Sequence, residues 1–138
     1  MSAYNQLNAY KETSINTAGQ GRLIIMLYRG AIEQINKAIQ LFPYGHERFD
    51  EINTAITKAQ DIITELMASL DFERGGDIAK QLFSLYFFFN DQLMQANLNK
   101  NVDILKQIKE MLEDLQQAWS QISNTQADPK QMGINISL

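Results

Sequence analysis

The chain has 138 residues, which is enough for one domain that buries a hydrophobic core without disulfides or metals. Its 45% hydrophobic and 20% charged residues are typical of a globular protein, and the absence of cysteine excludes disulfides, thiolate metal sites and a cysteine nucleophile. The net charge of −4 and the scattered Lys and Arg residues argue against nucleic acid as a partner, because phosphate backbones require clustered basic side chains.

The N-terminal residues 1–16 are mostly polar and carry three isolated apolar positions, Leu7, Tyr10 and Ile15. They have neither the basic start nor the apolar stretch of a signal peptide. The longest apolar run in the chain, residues 23–28, is too short to cross a bilayer. We therefore expect a cytoplasmic protein without membrane insertion, in which residues 1–16 form an arm beside the main domain.

The first predicted helix follows this arm. Apolar residues recur at steps of three and four from Ile24 to Phe42, which is the period of an amphipathic helix. Thr17 and Gln20 have the spacing of a capping box at its start. Because proline cannot continue a helix, we expect this one to end at Pro43.

Two of the next three predicted helices carry a heptad-like apolar stripe. The second has it at Phe49, Ile52, Ile56, Ala59, Ile63, Leu66 and Leu70, and the fourth at Leu105, Ile108, Leu112, Leu115, Trp119 and Ile122. Gly75 and Gly76 predict a turn before the third helix, which we place at about residues 77–98. Asn101 is the predicted N-cap of the fourth helix.

These elements predict an all-α protein with an antiparallel up-and-down four-helix bundle and an N-terminal arm or cap. Helices of about 20 to 26 residues joined by short connections pack as antiparallel neighbours. The predicted organisation is an arm at residues 1–16, the bundle at 17–123 and a polar C-terminal tail at 124–138.

The third predicted helix contains the most unusual feature, five aromatic residues within residues 82–89. At 100° per residue, one face of this helix collects Ile78, Leu82, Leu85, Phe89, Leu93 and Ala96, which we take as its core face, with Tyr86 at the margin. Phe83, Phe87 and Met94 fall on a second stripe, completed by Asn90.

The first helix also has apolar residues away from its core face. Met26 points roughly 165° from that face and Leu23 about 105° from it. Gly30 on the same outer side would allow another backbone to approach closely. Met and Phe suit a surface that accepts apolar side chains of varied shape.

Two explanations for this surplus apolar surface stay open. The first is a groove kept for a protein partner. The second is a structural one, in which the arm or a second copy of the chain covers helices one and three. The corresponding alternative function is a helical-bundle adaptor, or a signalling or structural module that works as a homodimer, and a weak homodimer is compatible with both.

The sequence contains no candidate residues for catalysis or for a metal site. The one histidine, His46, lies beside Pro43 and Gly45 in the first predicted loop and is most simply a surface residue. The paired Glu-x-x-His pattern of a di-iron bundle and the nucleotide-binding glycine motifs are absent from the sequence. We therefore predict no enzyme, no cofactor and no metal site.

Several ordered segments resemble the FliS family of flagellar secretion chaperones. Residues 9–18 (AYKETSINTA) are similar to the family's opening A-Y-x-x-x-x-(V/I)-x-T-A, and residues 23–32 (LIIMLYRGAI) to its L-(I)-x-M-L-Y-(D/N)-G-A-I segment. Residues 59–66 (AQDIITEL) resemble A-Q-x-I-I-x-E-L and are followed, as in the family, by SLD and GGDIA. The resemblance covers residues 7 to about 122.

The resemblance implies a helical bundle that binds the disordered C-terminal segment of newly made flagellin in the cytosol. It further implies that the chaperone prevents premature polymerisation and hands its client to the type III export gate. In the family the arm can cover the client surface when that surface is empty, so the arm residues Leu7, Tyr10 and Ile15 are candidates for a displaceable lid. Together with Leu23, Met26, Gly30, Phe83, Phe87, Asn90 and Met94 they form the predicted partner-binding set.

Overall fold

The computed structural model describes residues 17–125, and this part of the chain is helical. Its elements are α1 (Thr17–Leu41), a 3-10 segment (Phe42–Arg48), α2 (Phe49–Ala68), α3 (Phe72–Asn99) and α4 (Val102–Thr125). The main contacts join α1 to α2 and α4, and join α3 to α2 and α4. With connections this short, four helices in such a ring form the predicted up-and-down bundle.

The boundaries of the elements follow from local sequence signals. Pro43 stands near the start of the 3-10 segment, directly after α1 ends. The side chain of Asp71 caps α3 by accepting hydrogen bonds from the backbone N–H groups of Glu73 and Arg74, both at 3.1 Å. Asn101 caps α4 in the same way, through Asp103 N–H at 3.0 Å. The predicted Asn101 cap is therefore confirmed. The predicted capping box of Thr17 and Gln20 lies outside the side chains that the structure describes.

The core is a single cluster of apolar side chains contributed by all four helices. The heptad stripes predicted for the second and fourth helices face it, although Phe49, Leu115 and Ile122 are partly buried at its edge. The buried members on α2 and α4 are Ile52, Ala55, Ile56, Ala59, Ile63, Leu66, Leu105, Ile108, Leu112 and Trp119.

The core face of α3 is rotated from the predicted one. Tyr86, expected at the margin, is 2% exposed and lies in the core, because it stands four residues after Leu82 and three before Phe89, in the middle of the apolar repeat. Leu85 is partly buried, and Ile78, placed in the core by its helical angle, is exposed near the start of α3. Ala79 is buried instead.

A cluster around Lys100 fastens one end of the bundle. Lys100 has a left-handed backbone (φ 50°) between α3 and α4, and its ammonium donates to Asn53 Oδ1 on α2 at 2.5 Å and to Asn97 Oδ1 at 2.6 Å. The ammonium also lies 5.1 Å from the centre of the Phe49 ring. Burial of this ammonium lowers the pKa of Lys100. These contacts join the α3–α4 corner to the start of α2.

Candidate partner-binding surface

An apolar stripe runs along the outside of α3. Phe83, Phe87 and Met94 are exposed there, Phe87 at 62%, which confirms that these three side chains do not enter the core. The stripe continues to Leu98, which is 73% exposed. Sequence reasoning missed Leu98, although it follows Met94 by four residues and so lies on the same side of the helix. We call Phe72, Phe83, Phe87, Met94 and Leu98 the outer stripe.

Phe72 joins this stripe through a break in the helix. Its ring packs edge-on against Phe83, with ring centroids 5.8 Å apart. Eleven residues of straight α-helix rise about 16 Å, so the two rings could not meet across an unbroken helix. Gly76, between them, has φ 52° and ψ −124°, a backbone conformation open to glycine and not to other residues. The break therefore brings Phe72 back onto the stripe.

Phe72 is thus a surface residue that the sequence analysis missed. The available signal was the Gly75-Gly76 pair, which predicts a turn but not its direction. With that direction fixed by Gly76, the exposed aromatic surface extends beyond the N-terminal end of the regular part of α3.

A polar wall on α2 borders the outer stripe. Gln60 Nε2 donates to the Asn90 backbone oxygen at 3.2 Å, and Asn90 Nδ2 donates to Thr64 Oγ1 at 3.2 Å. Thr64 Oγ1 in turn donates to the Gln60 backbone oxygen at 3.0 Å. Asn90 is therefore half-buried at the junction of α2 and α3, beside the stripe rather than on its crest.

The predicted site residues on α1 lie elsewhere. Met26 is exposed, as predicted. Gly30 faces α2, where an added Cβ would stand 3.3 Å from Ile62 Cδ1, so the close approach that this glycine permits is made within the chain. The expected exposure of Leu23 was wrong: its side chain is 7% exposed. Leu23 and Leu41 are five full turns apart and project in the same direction, and both are buried.

The predicted residues therefore form two groups, one on each flank of α2. Ile62, which meets Gly30, is roughly 160° around α2 from both Gln60 and Thr64, which meet Asn90. The structure brings Phe83, Phe87, Asn90 and Met94 together and separates them from Met26 and Gly30. Leu7, Tyr10 and Ile15 lie outside the described residues.

A buried hydrogen-bonded network sets the orientation of α3. The hydroxyl groups of Tyr28 on α1 and Tyr86 on α3 share a hydrogen bond of 2.5 Å, and their rings meet edge to face at 6.3 Å. The side chain of Trp119 on α4 also acts on Tyr28 and lowers its pKa, against the larger effect of burial. Because burial penalises a phenolate, the pKa of Tyr28 is raised to about 12, and burial also raises the pKa of Tyr86. With Tyr86 held inside, the outer stripe is turned outward.

Another aromatic residue of α3 is exposed on a different side. Phe88 projects roughly 100° around the helix from Phe87, away from the outer stripe, and its ring contacts the buried Phe89 at 6.2 Å. The sequence analysis assigned no role to Phe88.

Residues 17–125 contain no group of three or more His, Asp and Glu side chains arranged to hold a metal ion. His46 packs against the Phe49 ring at 4.6 Å in the connection between α1 and α2. No helix in the described part of the chain is both long and apolar enough to span a membrane.

Comparison with known proteins gives one consistent result. Residues 3–126 match the model of the family described as flagellar protein FliS. The chain is 35% identical over 124 residues to the flagellar secretion chaperone FliS of Salmonella typhimurium, covering 88% of this chain and 87% of that protein. It is 34% identical over 120 residues to FliS of Vibrio cholerae, covering 84% and 87% of the two chains. Over 121 residues it is 31% identical to FliS of Bacillus subtilis, covering 88% of each.

Proposed function

Because this chain belongs to the FliS family, whose relatives are named flagellar secretion chaperones, we propose that it is a non-enzymatic flagellar export chaperone. Its client is the C-terminal segment of flagellin, which it binds in the cytoplasm before export. Binding prevents premature polymerisation of flagellin, and the complex then docks on components of the type III export apparatus.

The observation that carries this proposal is the outer stripe, five large apolar side chains exposed in a chain that has a complete core of its own. A disordered client loses conformational entropy when it binds, so it needs a large apolar area to offset that cost. At about 25 cal/mol per Å² of buried apolar surface, a wrapped interface of roughly 1,500 Å² or more is appropriate.

The two flanks of α2 support a client that wraps around the bundle. The outer stripe lies on the α3 side of α2, and the exposed Met26 lies on the side of α1. A client helix bound in a groove presents apolar residues three, four and seven apart. Phe83, Phe87, Met94 and Leu98 offer it a matching row, at steps of four, seven and four. We propose that one client segment contacts both flanks.

The binding experiment is a titration of labelled flagellin C-terminal peptide, from the same organism, into the purified chain. We expect Phe87→Asp to weaken binding at least tenfold while the free energy of unfolding changes by less than about 0.5 kcal/mol, because Phe87 is exposed. Gln81→Asp adds the same charge to an exposed position of α3 away from the stripe and should leave binding unchanged.

The same experiment separates the chaperone from a homodimeric module. Light scattering is measured with and without the peptide. A chaperone binds the peptide as a complex of defined mass. The proposal would be contradicted, and the homodimer favoured, by a stable dimer for which added peptide changes neither the mass nor the solvent accessibility of the outer stripe.

We further propose that residues 1–16 are a displaceable lid, anchored by Leu7, Tyr10 and Ile15. Deleting residues 1–16 should then raise the binding of an apolar dye and tighten peptide binding. A variant with Leu7, Tyr10 and Ile15 all replaced by Ser keeps the arm's length and should behave like the deletion. Dye binding that is unchanged in both variants would rule out the lid.

A further inference from the structure

The α3 part of the outer stripe is flanked at its middle by one polar residue, Asn90, on the side that faces α2. Phe83, Phe87, Asn90, Met94 and Leu98 follow one another at steps of four, three, four and four. These steps average about 3.75 residues, close to the 3.6 residues of one helical turn, so the five side chains lie in one row along α3, which we call the seam. From Phe83 to Leu98 the seam is about 22 Å long, so it fits a partner helix of about four turns.

The hydrogen bonds around Asn90 fix which way its amide points. The hydroxyl of Thr64 has one proton, and it is donated to the Gln60 backbone oxygen. Thr64 Oγ1 can therefore only accept from Asn90, which places the Asn90 NH₂ group on Thr64. The remaining Asn90 Oδ1 is shielded from water, and it accepts no hydrogen bond from the described residues.

An acceptor in this condition costs stability, because it has lost its water without gaining a donor. A single polar residue in an apolar helical seam has a known physical effect, since shifting the partner by a turn leaves the buried polar group unpaired. Asn90 has both properties, an unsatisfied oxygen and a central position in the seam.

We propose that Asn90 sets the register of a client helix that packs along the outer stripe, by accepting a hydrogen bond from a polar side chain on that helix. This inference rests on the proposed function. The client helix is amphipathic, about four turns long, with an apolar seam interrupted once by a neutral amide or hydroxyl side chain. Phe87 and Met94, which flank Asn90 along α3, are exposed and therefore have room to change rotamer when the client helix packs.

The donor must be a side chain because a helix uses its own backbone N–H groups internally beyond its first turn. A neutral donor suits the uncharged Asn90 oxygen, since an unpaired ammonium or guanidinium would lose far more hydration on burial. An extended client that offers a backbone N–H instead is the competing arrangement, and the experiment below separates the two.

The test measures the register by the rate at which disulfides form between the chain and the peptide. Because the chain has no cysteine of its own, an introduced cysteine is its only site for such a disulfide. Asp91→Cys, at the rim beside Asn90, is paired with flagellin C-terminal peptides that carry one cysteine at successive positions. In the otherwise unchanged chain we expect one peptide position to trap at least about tenfold faster than the positions three, four and seven residues away from it. Trapping in steps of two would indicate an extended client and overturn the proposal.

Variants at Asn90 then decide its role. Asn90→Leu should still bind peptide, but trapping should spread over positions three, four and seven residues apart. Asn90→Asp keeps an acceptor once the Thr64 hydroxyl turns its proton from the Gln60 backbone oxygen to the carboxylate, and should keep one register. Gln81→Leu, exposed and away from the stripe, should leave the register unchanged. Circular dichroism verifies that each variant is folded.

The possible failures are distinguishable. A single register that survives Asn90→Leu overturns the inference and leaves the proposed function standing. If the unsubstituted chain binds no peptide, the proposed function itself fails. Each Asn, Gln, Ser and Thr of the peptide is also replaced by Ala in turn. If none of these replacements lets disulfides form at additional peptide positions, the role of a side-chain donor is overturned.

Discussion

The inner and outer faces of α3 are built from the same run of aromatic residues, but the inner face is buried and the outer face is exposed. Tyr86 and Phe89 are enclosed by the other helices, and Tyr86 has a hydrogen-bond partner for its hydroxyl. Phe83, three residues before Tyr86, and Phe87, directly after it, are exposed to solvent. Residue type therefore does not distinguish the core residues of this helix from the candidate binding residues. The angle around the helix does, and the Tyr28–Tyr86 contact fixes that angle.

The largest expected effect separates the two faces by stability. Phe89→Ala should lower the free energy of unfolding by about 3–5 kcal/mol, because it leaves a cavity in the core. Phe87→Ala removes the same atoms from the outer stripe and should change it by less than about 0.5 kcal/mol. Urea unfolding followed by circular dichroism measures both. Similar losses in the two variants would mean that Phe87 is packed rather than available to a partner.

The second prediction concerns alkaline pH and acts on the inner face alone. The pKa of Tyr28 is raised from 10.0 to about 12, so above pH 10 the unfolded chain loses this proton while the folded chain retains it. Stability is therefore fully present below pH 10, and about 2–3 kcal/mol of it is lost between pH 10 and 12. Unfolding measured at several pH values follows the loss.

Replacement of Tyr28 by Phe should remove its share of this alkaline decline and leave that of Tyr86, whose pKa burial also raises, after an initial cost of about 1–2 kcal/mol for the lost hydrogen bond. Tyr44→Phe is the matched control, because Tyr44 is exposed. An alkaline decline that persists unchanged in Tyr28→Phe would show that another group titrates.

The smallest expected effect tests how the outer stripe is built. Gly76→Ala should cost about 1–2 kcal/mol, since alanine is strained at φ 52° and ψ −124°. It should also weaken client binding, because Phe72 is displaced from Phe83. Gly45→Ala is the control: Gly45 has a similar backbone (φ 67°, ψ −146°) in the connection after α1, and neither glycine has an atom within 4 Å of an added Cβ.

The comparison of these two glycines uses calorimetry for peptide binding and urea for stability. The expected outcome is a similar stability loss in both variants with weakened binding in Gly76→Ala alone. Equal binding by both variants would remove Phe72 from the client surface.

Much of the fold could be predicted because its signals are local. Pro43, the heptad stripe of α2 and the Asn101 cap each act within a few residues, and they locate the helices without knowledge of the tertiary structure. The inner face of α3 was harder, since a run so rich in aromatic residues fits more than one face, and Tyr86 was placed by a partner 58 positions earlier.

The candidate site was predictable where it depends on helical angle alone. Phe83, Phe87 and Met94 were found for that reason. Phe72 could not be, because its contact depends on the direction of the backbone at Gly76, and Leu23 was misplaced because the buried face of α1 is wider than the apolar period indicates. The orientation of the Asn90 amide depends on Gln60 and Thr64, from a different helix.

The Lys100 cluster has a consequence for the order of folding. Its bond to Asn53 joins residues 47 positions apart and connects the α3–α4 hairpin to α2, whereas the caps at Asp71 and Asn101 act within their own helices. We expect this contact between the two hairpins to form late in folding and to contribute little to the transition state. The cluster should therefore act as a latch that slows unfolding and leaves the folding rate nearly unchanged.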